Sequence, residues 1–140
     1  MYKNLRVLVV DDHGLMRSMI TQSLKSLGVT RVGSAAGSED AWVEMDNAAA
    51  SADPYHVILL DWHMPGTDGL EFMRKCRADS RFDKTAIVML TAEEKEEHAA
   101  QAFENGATSY LMKPVSADLL AENLGIATQW LADKGLKIAS

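Results

Sequence analysis

Val57-Ile58-Leu59-Leu60-Asp61-Trp62-His63-Met64-Pro65-Gly66-Thr67-Asp68-Gly69 decides the fold. Its four leading apolar residues are too few for a helix and run into a turn rich in proline and glycine, so they read as a short strand buried on both faces. Such strands belong to parallel sheets covered by helices. Asp61 closes the strand and so stands at the carboxyl edge of the sheet, where open α/β folds place their ligands. On this stretch alone Asp61 has two readings: a carboxylate of a site, or an Asx-turn or cap for the next helix.

On the N-terminal side, Arg6 to Val10 is a β-branched run that ends in the acidic pair Asp11-Asp12 and reads as the first strand. From Gly14 to Leu27 the residues Leu15, Met19, Ile20, Leu24 and Leu27 fall at helical spacing, with Gly28 as the stop. Val29 to Ala35 is a weaker strand. Ser38 offers an N-cap for a helix through Trp42, Met45 and Ala49, closed by Asp53-Pro54.

On the C-terminal side, the turn dipeptides Pro65-Gly66 and Asp68-Gly69 precede a helix with Leu70, Met73 and Arg77. Ala86 to Leu90 is a short strand ending at Thr91, and Glu93 to Glu104 is a charged, exposed helix stopped by Asn105-Gly106. Ser109 to Met112 makes a fifth strand. Lys113-Pro114 follows, then a last helix from an N-cap at Ser116 to about Leu131, in which Gly125 marks a bend or a close contact. Five strands alternating with five helices give an α/β, doubly wound, five-stranded parallel sheet of order 2-1-3-4-5, the flavodoxin-like arrangement. Residues 1–131 form one domain and 132–140 a frayed tail.

The 140 residues suffice to bury roughly two-thirds of the unfolded surface, so no disulfide staples are required. The single cysteine, Cys76, sits in a helical pattern and reads as a half-buried spectator thiol, consistent with a cytoplasmic setting. No apolar run reaches membrane length. The formal net charge of −6, with no basic run, argues against nucleic acid as a partner.

In a parallel sheet the carboxyl ends share one edge, so Asp11, Asp12, Asp61, Thr91 and Lys113 converge there although they are far apart in sequence. Three carboxylates without a cation would repel and raise one another's pKa, and oxygen ligands with room for water favour Mg²⁺ or Mn²⁺ over zinc. An aspartate beside such a cation, an ammonium and a hydroxyl is equipped to become an aspartyl phosphate. Each residue also has a structural reading. Thr91-Ala92-Glu93-Glu94 fits a capping box, Lys113 fits a solvated strand end, and Asp11-Asp12 fit a cap for the first helix.

From Val7 to about Leu131 the chain resembles the receiver domains of two-component response regulators, and within them the CheY-like chemotaxis group. The motifs are Asp11-Asp12, Asp61 in Leu59-Leu60-Asp61-Trp62-His63-Met64-Pro65-Gly66-Thr67-Asp68-Gly69, Thr91-Ala92, and Lys113-Pro114 after Tyr110. The resemblance implies Asp61 as phosphoacceptor, with Mg²⁺ held by Asp12, Asp61 and the backbone carbonyl of His63, and by Asp11 directly or through water. It implies Thr91 and Lys113 as contacts to the phosphoryl oxygens, and Thr91 with Tyr110 as the switch. A histidine kinase would be the donor, a downstream protein such as the flagellar motor switch the target, and a phosphatase a further partner, with the chain itself monomeric and not an enzyme. Trp130 is a candidate contact to the target, or simply packing.

The chain departs from the group at His63, where Asn is expected two residues after the acceptor, which bears on the phosphoryl lifetime. His13, in place of a more usual apolar residue, reads with His63 as a solvated loop residue; His56 and His98 have no case for function. Three alternatives stand beside this one. A relay or adaptor receiver would have the same pocket and another target. A metal-dependent phosphatase would carry Asp-x-Asp after strand one, and a flavin carrier a hydroxyl-rich loop where this chain has Asp11-Asp12-His13-Gly14.

Overall fold

The central strands run without alternation because each is covered twice, while the two edge strands are only partly buried. In the computed structural model, which describes residues 2–64, 66–92 and 96–136, the strands are β1 (Arg6–Val10), β2 (Arg31–Ala35), β3 (Val57–Asp61), β4 (Ala86–Thr91) and β5 (Ser109–Met112). The sheet is parallel throughout in the order β2-β1-β3-β4-β5. Helices α1 (Gly14–Ser26), α2 (Ser38–Ala50), α3 (Gly69–Arg77), α4 (Glu96–Glu104) and α5 (Ala117–Asp133) alternate with the strands, as the sequence leads one to expect.

Successive strand side chains point to opposite faces, and the core divides accordingly. Leu8, Val10, Ile58, Leu60, Ile87 and Met89 meet Met45 of α2, Phe72 and Met73 of α3 and Ala102 of α4. Val7, Val9, Val57, Leu59, Val88 and Leu90 meet Ile20 and Leu24 of α1 and Leu120, Leu124 and Leu131 of α5. Among the described residues, no helix is long and apolar enough to cross a membrane.

The differences from the sequence reading are local. Only Ile20 and Leu24 of the α1 stripe are fully buried, while Leu15 and Met19 face solvent, because one sheet face shared with α5 leaves α1 a narrow footprint. The α2 cap falls on Gly37 rather than Ser38, whose hydroxyl instead donates to the Thr67 carbonyl at 2.6 Å and ties α2 to the loop after β3. Ser116 caps α5 as expected, accepting from the Leu119 N–H, but the helix continues to Asp133. Leu136 then folds back, its N–H on the Leu131 carbonyl at 2.9 Å and its side chain on the core, so the chain past 131 begins as packed structure rather than as a frayed tail. A Cβ on Gly125 would meet nothing within 4 Å, so no close contact explains that glycine. The expected start of α4 at Glu93 lies outside the described residues.

Arg77 fastens the end of α3. Its guanidinium donates to the carbonyls of Phe82, Thr85 and Gly106 at 2.8–3.0 Å, joining α3 to the start of β4 and to the turn before β5. Trp130 is partly buried against the core, with the Arg77 guanidinium 5.3 Å from its ring centre, which is the packing role. Cys76 is fully buried, beyond the half-burial expected of it.

Candidate functional site

The register of the sheet sets the site. Val10 lies opposite Leu60, Asp61 opposite Leu90, and Thr91 opposite Met112, so the residues at and just past these positions crowd one edge. The ladder continues beyond the strands: the Asp11 N–H donates to the Ala35 carbonyl at 3.1 Å, Trp62 to Leu90 at 2.9 Å, and Lys113 to Thr91 at 2.8 Å. The backbone that carries the site is therefore hydrogen-bonded sheet rather than free loop.

Asp11 is wholly buried and uses both oxygens. Its Oδ1 accepts the His13 N–H at 2.8 Å, an Asx-turn, and its Oδ2 accepts from Lys113 Nζ at 2.8 Å. The same ammonium lies 3.1 Å from Asp61 Oδ1, bridging two carboxylates. Asp61 is 3% exposed, and its Oδ2 has no hydrogen-bond partner; neither has the buried Oδ1 of Asp12. Carboxylate oxygens of Asp11, Asp12 and Asp61 and a ring nitrogen of His13 all lie within 4.8 Å of one another.

Several structural readings fall away. Asp61 does not cap α3, because Asp68 does so by accepting the Glu71 N–H at 2.9 Å. The N-cap of α1 is His13, with no side-chain cap bond, so Asp12 is not a cap. The Lys113 side chain is largely buried rather than solvated. Thr91 is a buried strand terminus, and the Glu93 and Glu94 of its supposed capping box lie outside the described residues.

The electrostatics follow from burial and neighbours. Burial pushes the Asp61 carboxyl above its ordinary value, with the charge of Asp11 acting in the same direction and Lys113 offsetting part of the rise. Burial would raise Asp11 also, but the hydrogen bonds from Lys113 and the His13 N–H outweigh it and hold Asp11 below the usual range. Burial works against the Lys113 ammonium, which the two carboxylates nevertheless keep above its ordinary value. The pocket is thus short of positive charge where two buried oxygens lack donors, and its three carboxylates fit a hard divalent cation such as Mg²⁺.

The other expected residues are placed less centrally. The His63 side chain is exposed and outside the donor cluster, which leaves only its backbone carbonyl for the expected role. Tyr110 lies opposite Met89 on β5, partly buried on the core face that includes Ala102 of α4.

Three contributions escaped the sequence. His13 is exposed, as expected of a solvated loop residue, but its Nδ1 also lies 3.2 Å from Asp11 Oδ1 and 3.1 Å from Asp12 Oδ1; adjacency to the acidic pair was the available signal. Gly69 is the first residue of α3 rather than part of a free turn, and its N–H donates to the Trp62 carbonyl at 2.8 Å. A Cβ there would stand 2.3 Å from the Asp61 carbonyl oxygen, so the missing side chain lets α3 close against the acceptor strand. His56 accepts the Arg6 N–H on Nδ1 at 2.9 Å and returns its own N–H to the Arg6 carbonyl, extending the ladder at the opposite edge.

The sequence and the fold match known proteins. A family model described as the response regulator receiver domain matches residues 7–125. Chemotaxis protein CheY1 of Helicobacter pylori is 36% identical over 122 residues, covering 87% of this chain and 95% of that protein. Chemotaxis protein CheY of Pseudomonas aeruginosa is 31% identical over 125 residues, covering 86% and 93%. The solved structure of chemotaxis response regulator CheY4 of Vibrio cholerae superposes with a TM-score of 0.79 at 32% identity, covering 88% of this chain and 98% of that one.

Proposed function

The chain belongs to the response regulator receiver domain family, and from that premise we propose that it is a phosphoacceptor switch, charged on Asp61 by a histidine kinase and read by a downstream protein. One observation carries the reading. Asp61 is 3% exposed at the end of β3, bridged by Lys113, with an oxygen that has no partner among three clustered carboxylates.

Asp11, Asp12, Asp61 and the His63 carbonyl would hold Mg²⁺, for which Mn²⁺ can substitute. When bound, the cation supplies neutralisation of the charge on the transferring phosphoryl oxygens. A carboxylate oxygen of Asp61 attacks phosphorus on the kinase's phosphohistidine. The O–P bond forms as the P–N bond breaks, and the electron pair of the broken bond returns to the imidazole nitrogen. Lys113, already within 3.1 Å of the acceptor, pairs with the phosphoryl oxygens, and the Thr91 hydroxyl donates to them.

The new group brings roughly −1.5 to −2 charges and three acceptor oxygens. Thr91 moves to meet them and Tyr110 turns into the space that opens, altering the surface of α4, β5 and α5. Couplings of this kind are about 1–3 kcal/mol, so partner affinity shifts about 5- to 150-fold rather than from nothing to everything. The relatives at 31–36% identity are chemotaxis proteins, which favours chemotaxis as the setting and the flagellar motor switch as target. A phosphatase to end the signal, a monomeric state and a cytoplasmic location complete the reading.

Borohydride reduction tests it, because an aspartyl phosphate is converted to homoserine. After exposure to a phosphodonor and Mg²⁺, peptide mapping should find homoserine at position 61 and nowhere else. Homoserine at another position, or none despite phosphorylation, refutes the assignment.

A further inference from the structure

We propose that His13 contributes a ring nitrogen to the cation site at Asp11, Asp12 and Asp61, making it a mixed nitrogen and oxygen site that favours transition cations such as Mn²⁺ and Ni²⁺ relative to Mg²⁺. The inference rests on the reading of that pocket as a cation site and adds a donor to it.

His13 Nδ1 stands 3.1 Å from Asp12 Oδ1 and 3.2 Å from Asp11 Oδ1. Donors about 2.1 Å from one cation and at right angles to each other lie about 3.0 Å apart, so both separations match neighbouring positions around a single ion. A hydrogen bond alone does not account for the arrangement. Nδ1 has the geometry of a bond to Asp11 Oδ1, whereas Asp12 Oδ1, equally near, is buried with no hydrogen-bond partner. The partnerless Oδ2 of Asp61, on a residue 97% removed from solvent, faces the same need. Lys113 engages Asp11 Oδ2 and Asp61 Oδ1, which leaves Asp61 Oδ2 for the cation.

The His13 backbone is fixed beside the acidic pair. The His13 N–H is bound by Asp11 Oδ1 at 2.8 Å, and the His13 carbonyl accepts the Arg17 N–H of α1 at 3.0 Å. The rest of the ring is exposed, its side chain 71% accessible, so burial is not what fixes it. Imidazole suits the later first-row cations, while carboxylate and water suit Mg²⁺, and affinity for a fixed donor set rises from Mn²⁺ to Ni²⁺. One neutral nitrogen among three carboxylates therefore raises Ni²⁺ affinity while leaving Mg²⁺ affinity close to that of the oxygen set alone.

The test uses the full chain with Mn²⁺, Ni²⁺ and Mg²⁺ and no phosphodonor. Pulsed electron paramagnetic resonance of the Mn²⁺-loaded protein should show a directly bonded ¹⁴N that disappears in His13→Leu. Calorimetric titration should show the ratio of Ni²⁺ to Mg²⁺ affinity falling about tenfold or more in His13→Leu, with Mg²⁺ affinity itself within about twofold of the unsubstituted protein. Mg²⁺ binding without a ¹⁴N signal, a signal that persists in His13→Leu, or an unchanged ratio overturns the role of His13 and leaves the pocket standing. Failure of the unsubstituted protein to bind any of the three cations overturns both.

Discussion

Gly69→Ala puts the link between fold and site to a quantitative test. Alanine is the better helix former by about 1 kcal/mol, and Gly69 opens α3 without a positive φ, so local propensity predicts a gain. The packing predicts a loss. The new Cβ would lie 2.3 Å from the Asp61 carbonyl oxygen and 3.0 Å from Trp62 Cα, both backbone atoms that cannot rotate away. Reaching even 3.0 Å demands a shift of about 0.7 Å, and strain of that sort costs about 1–3 kcal/mol. Set against the gain of about 1 kcal/mol in propensity, net destabilisation should be about 0–2 kcal/mol, a fall in Tm of up to about 6 °C by calorimetry.

The atom displaced belongs to Asp61 itself. Since an error of about 1 Å in a reacting group can cost about 100-fold, phosphorylation from a small donor should slow about 10- to 100-fold although every site side chain is intact. Gly125→Ala is the matched control: its Cβ meets nothing within 4 Å, so it should stabilise by about 0.5–1 kcal/mol and leave the rate unchanged. A Gly69→Ala protein with the original Tm and rate would show that the close approach of α3 to β3 positions nothing.

Other expectations follow from single residues. Burial pushes the Cys76 thiol up to about 12, so iodoacetamide at neutral pH should leave the native protein unmodified and label it fully once unfolded in urea. Burial, together with Arg31 and Arg6, lowers the His56 imidazole below its ordinary value, and the neutral ring accepts the Arg6 N–H. The unfolded chain thus binds the extra proton first: His56's contribution is fully present above pH 6.5 and is lost as the pH falls below it. His56→Ala should cost about 1–3 kcal/mol in urea unfolding at pH 7.5 and flatten the acid limb of the stability curve. Asp61 shows the opposite sign. Its raised carboxyl pKa means that ionisation opposes folding, so without divalent cation Asp61→Asn should melt above the unsubstituted protein, with Mg²⁺ narrowing the gap. Lys113→Ala should retain Mg²⁺ by calorimetry while its labelling slows about 100-fold, in the range of a lost charge stabiliser.

The sheet was legible because it rests on strong local signals. Val57–Leu60 and Ala86–Leu90 could only be doubly covered strands, and their alternation with helical spacing left few topologies. Asp11, Asp12, Asp61, Thr91 and Lys113 were legible for the same reason: parallel topology sends every strand's carboxyl end to one edge, whatever the separation in sequence. What escaped depends on side-chain direction and close approach, which residue identity does not encode. His13 looked like any loop histidine until its Nδ1 proved to lie beside two carboxylates. Gly69 looked like a turn residue, yet its small size serves packing against β3. Leu15 and Met19 kept the helical period but not the burial, because α1 covers only part of a sheet face. Ser38 has the composition of a cap and spends its hydroxyl on Thr67 instead.

The central claim, that Asp61 takes up one phosphoryl group, is tested most directly by intact mass after incubation with a small phosphodonor and Mg²⁺. The unsubstituted chain should gain the mass of one phosphoryl group, lose it over time, and gain nothing when the cation is chelated, while Asp61→Asn gains nothing at all. Stoichiometric labelling of Asp61→Asn would contradict the account.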